Sequence, residues 1–350
     1  MWSLEEIGWD EERAEQFAPH AVDGLQPARV AVAHREAFVL YGAAGEARAR
    51  LFGRLRHEGG DVAVGDWVAA TPPAAGEGRI EAVLPRRTVL ARRAAGTSVR
   101  AQVLAANVDV VFVVAGLDGD FNPRRVERTL VLVADSGARA VVLLNKADAC
   151  PDAGERRRTM ERAAPGVPVH TVSALYGHGL DVARALIGPG VTVALLGSSG
   201  AGKSTLANGL LGAERQATRA VRTDDSRGRH TTTRRELLVL PGGGVLVDTP
   251  GLRELQLWAS AEAAGQAFAD VEDLARACRF ADCRHDSEPG CAVTRAAAEG
   301  TLDPSRLASY HKLQGELRHF ARQHDAQARS EAERRWRSIH KAARRHRPRW

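Results

Sequence analysis

Eight consecutive residues, Gly197-Ser198-Ser199-Gly200-Ala201-Gly202-Lys203-Ser204, carry the spacing G-x-x-x-x-G-K-S. Glycines at those places let backbone N–H groups converge on phosphate oxygens at the positive end of a following helix. Lys203 would reach the β- and γ-phosphates, and the Ser204 hydroxyl would ligate Mg²⁺. The apolar run Val191 to Leu196 precedes the motif and the helix-like Thr205 to Leu211 follows it. That strand-loop-helix setting is what a phosphate loop requires, and it outweighs the plainer reading as a glycine-rich turn.

A second constellation, Asn145-Lys146-Ala147-Asp148, closes the apolar run Val141 to Leu144, where the ligand loops of open α/β sheets lie. The Asp148 carboxylate can accept from N1–H and the exocyclic amine of guanine. Adenine has an acceptor at N1 and no amine at C2, so the carboxylate would be left unpaired. Sites built this way reject the wrong ligand by roughly 10⁴. Lys146 would pack its stem over the base plane, and Asn145 would tie the loop to its surroundings. Ser173 and Ala174 follow Val169 to Val172, and the Ala174 N–H could face the guanine oxygen. Together these residues favour GTP over ATP. Their order is rotated, because the base reader precedes the phosphate loop by about fifty residues. In an ordinary GTPase the phosphate loop leads.

Asp248-Thr249-Pro250-Gly251 follows the apolar Val245 to Val247. Asp248 can hold Mg²⁺ through water, and the Gly251 N–H can sense the γ-phosphate. Between the phosphate loop and this segment lies the hydroxyl-rich Arg227-Gly228-Arg229-His230-Thr231-Thr232-Thr233, in which Thr232 is assigned to Mg²⁺ and the γ-phosphate. Such a loop can order with GTP and relax after hydrolysis. Signalling GTPases place a glutamine just after this Asp-x-x-Gly element to position water. Leu252 stands there in this chain and cannot orient water, so intrinsic turnover should be slow. His230 is assigned that work, completed by a partner. The catalytic set is therefore His230, Thr232, Lys203 and Asp248, with Ser204, Thr232 and Asp248 around Mg²⁺.

Cys278, Cys283, His285 and Cys291 form C-x4-C-x-H-x5-C. Three thiolates and an imidazole make a closed tetrahedral set that suits a structural Zn²⁺ with no open position. The alternative is a set of scattered core cysteines and a surface histidine. Cys150, near the base reader, reads as an ordinary buried or partly buried thiol.

Three kinds of element must position these groups. Residues 1–95 show short β-like runs broken by Gly and Pro, among them Ala28 to Ala33, Ala37 to Tyr41, Ala49 to Leu55 and Asp66 to Ala70, as in a small β-barrel. A basic stretch, Pro85-Arg86-Arg87 with Arg92-Arg93, reads as linker. Residues 96–257 alternate apolar strands with helices, as a parallel sheet with crossover helices does. Asn122-Pro123 opens one such helix, whose Val126, Leu130 and Val133 mark a buried face. Residues 258–350 are helical around the Cys/His cluster and end in a basic tail.

With 350 residues, 44% of them apolar, the chain can bury a large core. Its formal charge of +6 is local, since Arg329 to Trp350 alone carries nine Lys/Arg against two Glu. That tail reads as a nucleic-acid arm, against a merely solvated terminus. No apolar run approaches the roughly 18 residues needed to span a bilayer, and the acidic start lacks a signal peptide's basic and apolar regions. Few cysteines, most of them clustered, fit a reducing cytoplasm. A monomer without membrane contact is expected.

Barrel, rotated GTPase, Cys3His element and basic tail together resemble the circularly permuted, ribosome-small-subunit-dependent GTPases of bacteria. The resemblance rests on Val64-Gly65-Asp66-Trp67-Val68, Asn145 to Asp148, Gly197 to Thr205, Gly228 to Thr233, Asp248 to Gly251 and the four metal ligands. It implies an N-terminal OB-fold that contacts ribosomal RNA. It also implies GTP hydrolysis to GDP and phosphate, stimulated by the small subunit, and a role in late subunit maturation. The chain departs from the pattern in its long basic end and in Ala94-Ala95-Gly96-Thr97. Because the segment Asp248 to Gly251 runs into the metal-bearing region, nucleotide state could reorient that region on RNA. The competing readings are a permuted GTPase acting on another RNA or ribosomal particle, an RNA-binding module with a vestigial nucleotide site, and a P-loop ATPase or kinase.

Overall fold

The computed structural model describes residues 2–34, 37–57, 61–71, 77–93, 101–212, 236–248, 260–319 and 322. Helix α1 (Glu11–Ala21) opens at Asp10, whose carboxylate accepts from the Arg13 N–H at 3.0 Å. Strands β1 (Gln26–Ala33), β2 (Phe38–Gly42) and β3 (Gly45–Leu51) follow as an antiparallel meander. Then come a short helix α2 (Gly53–His57), β4 (Trp67–Ala70) and β5 (Gly78–Val83). β3 pairs in parallel with β5, and β4 pairs back onto β1, so the five strands close in the order β1-β2-β3-β5-β4. Closure leaves no open edge within the ring. Val30, Phe38, Leu40, Val68 and Ile80 fill its interior, as in an OB-fold.

Two local expectations are corrected. The strand expected to reach Leu55 ends at Leu51, because Gly53 takes φ +54° and turns the chain into α2. Arg92 and Arg93, expected in a linker, belong to β6 (Val89–Arg93), which pairs antiparallel with β7 (Ala101–Ala106). Antiparallel pairing with β7 overrides the local charge.

The α/β region runs β8 (Val110–Gly116), α3 (Pro123–Ser136), β9 (Arg139–Asn145), α4 (Ala153–Ala163), β10 (Val169–Thr171), α5 (Leu180–Ala185), β11 (Thr192–Leu196), α6 (Lys203–Leu211), β12 (Glu236–Val239) and β13 (Val245–Asp248). The sheet order is β10-β9-β8-β11-β13-β12, parallel throughout except for β12. Helices cover both faces, so β8 is buried along its whole length. Alternate residues of each strand feed opposite cores: Val111, Val142 and Ala194 on one side, Phe112, Leu143 and Leu195 on the other. Asn122 caps α3 by accepting from the Arg125 N–H, and Val126, Leu130 and Val133 are buried as their spacing predicts.

Barrel and sheet share one compact unit, residues 1–94 with 100–258, while 259–350 fall in a second. Within the first, β1 meets β12 at Val32↔Glu236. The buried Arg29 guanidinium donates to Gly65 O, Asn107 O and Ile7 O, so one side chain joins barrel, sheet entry and N-terminal extension. Gly65 sits at φ +91°, and a Cβ there would stand 2.1 Å from Ala106 O, so no larger residue fits this approach. The second unit contains α7 (Ala261–Ala267), α8 (Ala269–Ala275), α9 (Ala292–Ala298) and a helix over 304–319. Arg306 lies over Phe268 and pairs with Asp270 at 2.6 Å, fastening that last helix to α8.

Candidate active site and metal centre

Parallel strands deliver their C-terminal ends to one edge, and the sequence-predicted nucleotide groups collect there. The base reader leaves β9 and the phosphate loop leaves β11, with β8 between them. Asn145 is 3% exposed and bonds both ways. Its Nδ2 donates to Ala201 O of the phosphate loop at 2.9 Å, and its Oδ1 accepts from the Ala174 N–H at 2.9 Å. One amide thus joins three segments that are far apart in the chain. The Ala174 N–H, expected to face a guanine oxygen, is held by Asn145.

Asp148 accepts from Ser173 Oγ at 2.5 Å, which orients its carboxylate. Lys146 sits at φ +68°, and its Nζ pairs with Asp118 at 2.5 Å. In the phosphate loop, Lys203 Nζ donates to Gly197 O at 2.8 Å and Ser198 O at 2.6 Å, curling the loop around the ammonium. Two glycines are there for contact. A Cβ on Gly197 would stand 2.1 Å from Val114 O, and one on Gly202 would stand 2.1 Å from Asn145 Nδ2. Ser204 and Thr205 lie in the first turn of α6, with Ser199 and Gly200 at the loop's outer bend.

The backbone of β13 carries Asp248 to the strand's end, parallel to β11. Its side chain, His230, Thr232 and Gly251 lie outside the described residues. Sequence reading passed over Asp118 and Asp120, which touch Lys146 and Ser198. The available signal was Asp118-Gly119-Asp120 directly after a fully apolar strand.

In the second unit the four predicted metal ligands converge, their donor atoms all within 4.8 Å of one another. Cys278 Sγ lies 3.6 Å from His285 Nδ1 and 3.8 Å from Cys291 Sγ, and Cys291 Sγ lies 3.5 Å from His285 Nδ1. A tetrahedron with bonds of about 2.1–2.3 Å has edges near 3.6 Å, so the set fits a zinc-sized ion. His285 takes φ +62° to turn its ring inward, and Cys291 caps α9. Glu288 braces the loop by accepting from the N–H groups of Arg284, Asp286 and Ser287. Those bonds, led by Arg284, hold its carboxyl down to about 2. Cys150 is buried, as expected.

Candidate RNA-facing groups occur on both units. Phe38 lies inside the barrel and Tyr41 and Trp67 are buried against Trp2 and Trp9, whereas Phe52 is 44% exposed with the Arg79 guanidinium 4.6 Å from its ring centroid. Arg48 and Arg50 project outward from β3 on the same barrel. In the second unit Arg284, Arg318, His319 and Arg322 line an open cleft of about 470 Å³. Among the described residues no helix is long and apolar enough to cross a membrane.

A family model described as RsgA GTPase matches residues 83–258. The small ribosomal subunit biogenesis GTPase RsgA of Opitutus terrae is 50% identical, the alignment covering 98% of this chain and 97% of that one. Its namesake in Streptomyces coelicolor is 46% identical over 94% and 90%. Among solved structures, YjeQ from Thermotoga maritima superposes with a TM-score of 0.66 at 28% identity, covering 84% of this chain and 98% of that one. YloQ, described as a circularly permuted GTPase, shares the fold at a TM-score of 0.61 and 21% identity, over 84% and 96%.

Proposed function

The chain belongs to the RsgA GTPase family and is a GTP hydrolase, and from that premise we propose that it binds the small ribosomal subunit through rRNA and assists its late maturation, with hydrolysis stimulated by the subunit. The observation that carries the nucleotide part is Asn145, whose one amide gathers the base reader, the Ser173-Ala174 turn and the phosphate loop into a single pocket. Asp148, aimed by Ser173, reads the guanine edge, Lys146 covers the base, and Gly197 to Thr205 cradle the phosphates. Mg²⁺ would be held by Ser204, Thr232 and Asp248 and would neutralise charge between the β- and γ-phosphates. His230 positions the attacking water where Leu252 cannot.

Zn²⁺ held by Cys278, Cys283, His285 and Cys291 would supply folding energy to the second unit. Residues 1–95 and 258–350 serve as RNA-contacting segments flanking the 96–257 GTPase region. Their support is the exposed Phe52 beside Arg48, Arg50 and Arg79, together with the arginine-lined cleft. Exposed aromatics beside cations suit stacking on bases along a phosphate backbone. The relatives' name supports the small subunit as partner, and the cytoplasm is the corresponding compartment; the protein acts as a monomer.

Co-sedimentation with each purified subunit, in a non-hydrolysable GTP analogue and in GDP, tests this reading. Retention on the small subunit with the GTP form, and turnover raised by that subunit alone, are expected. Equal binding to both subunits, or turnover indifferent to them, would remove the proposal. His230→Ala should keep GTP affinity and lose stimulated turnover, and Asp148→Asn should abolish the preference for GTP over ATP.

A further inference from the structure

We propose that Asp118 and Asp120, in the short loop after β8, are positioning residues that set the base-reading lysine and the phosphate loop from one segment. β8 lies between β9 and β11, so its loop emerges between the two halves of the nucleotide site. Asp118 pairs with Lys146 Nζ at 2.5 Å, and Asp120 accepts from Ser198 Oγ. The loop is itself braced. Leu117 N–H donates to Asn145 O at 2.8 Å, and Asp120 N–H donates to Asp118 Oδ1 at 3.0 Å. Arg156 of α4 donates to the Leu117 and Asp118 carbonyls, each at 3.3 Å, and its guanidinium lies 5.5 Å from the Phe121 ring. Arg125 of α3 pairs with Asp120.

A lysine that must lie along a base plane has four rotatable bonds, and fixing them costs entropy at binding. A carboxylate that holds the ammonium beforehand removes part of that cost. Burial is the largest single influence and raises the Asp118 pKa, but the hydrogen bond from Lys146, the Asp120 N–H and the nearby ammonium charge together outweigh it and leave the carboxyl below its usual range, so it is ionised at neutral pH. Asp120 acts on the other half. By holding Ser198 outward it leaves the backbone of the phosphate loop, rather than a side chain, facing the phosphates. Two loops that grip opposite ends of one nucleotide are thereby referred to one anchor.

The inference rests on reading Asn145 to Asp148 as base reader and Gly197 to Thr205 as phosphate loop, and its test separates the two. Affinity and dissociation rate of fluorescent GTP and GDP analogues would be measured on the full chain for Asp118→Asn, Lys146→Met and their double variant. A parallel cycle would use Asp120→Asn, Ser198→Ala and their double. Asp118→Asn should weaken GTP and GDP alike by about tenfold, the order expected for one charge-assisted bond. The preference for GTP over ATP should survive, because Asp148 is untouched. In the Lys146→Met background Asp118→Asn should add nothing, and Asp120→Asn should likewise add nothing to Ser198→Ala. A loop that merely stabilises the fold would give additive losses, which would overturn the proposal, as would an Asp118→Asn protein of unchanged affinity. If Lys146→Met itself binds GTP normally, the base-reader assignment beneath the proposal fails.

Discussion

The candidate nucleotide site and the candidate metal centre are built in opposite ways. The first draws Asn145, Ala174 and Ala201 from three strand ends and holds them by buried hydrogen bonds on a parallel sheet with two cores. The second takes all four ligands from one loop of fourteen residues, Cys278 to Cys291, with a small helical surround. A sheet that already buries β8 completely can hold a pocket ready for a ligand. A loop with few apolar contacts depends on the ligand to hold its shape. The nucleotide site should therefore be lost by mutations that disturb packing, and the metal site by removing the ion.

The largest effect that could break this contrast comes from the metal. Chelation, or Cys291→Ser, should unfold the second unit, since structural zinc contributes an apparent ~10 kcal/mol or more in small domains. GTP affinity should stay within about threefold in the same sample. Loss of GTP binding on chelation, read by fluorescent-nucleotide titration, would show that the two units are energetically one. Next in size is Gly202→Ala. Its Cβ would meet Asn145 Nδ2 at 2.1 Å on a backbone at φ +93°, so a cost of about 2–4 kcal/mol is expected. Most of it should appear as lost nucleotide affinity in calorimetry.

Asn145→Ala leaves the Ala174 N–H and Ala201 C=O without their partner, at about 1–3 kcal/mol each. GTP dissociation should accelerate by at least tenfold, and unchanged dissociation would mean that the three segments are held by packing alone. The smallest effect sharpens the comparison at the edge of the first unit. Asp10 has its pKa lowered, chiefly by its hydrogen bond from Arg87, so its contribution exists above the usual carboxylate pKa and is lost as pH falls below about 4. The pair is partly exposed, so Asp10→Asn should cost only about 0.5 kcal/mol at pH 7 and nothing at pH 2. Urea midpoints at the two pH values decide it.

Parts of both sites were legible before any fold was known. Gly197 to Ser204, Asn145 to Asp148 and the Cys/His spacing each pack their chemistry into a few consecutive residues, and apolar runs mark the strands that carry them. The buried strands and the cap at Asn122 were legible for the same reason. Other features were not. Phe52 looks like Phe38 in sequence, and only barrel closure leaves one at the surface and the other inside. β6 hid behind Arg92 and Arg93, whose charge reads as linker until the antiparallel pairing with β7 is seen.

Local residue order by itself determined the nucleotide class, a Cys3His set that could hold a metal and the rotated arrangement of motifs, because hydrogen-bonding pattern and ligand spacing are properties of short segments. Tertiary structure alone decided that Asn145 spans three segments and that Asp118 and Asp120 stand beside Lys146 and Ser198. Those contacts cross 25 to 78 positions of sequence and exist only because β9, β8 and β11 lie side by side in a parallel sheet. Strand order follows from burying two faces at once, a global condition that no short segment expresses.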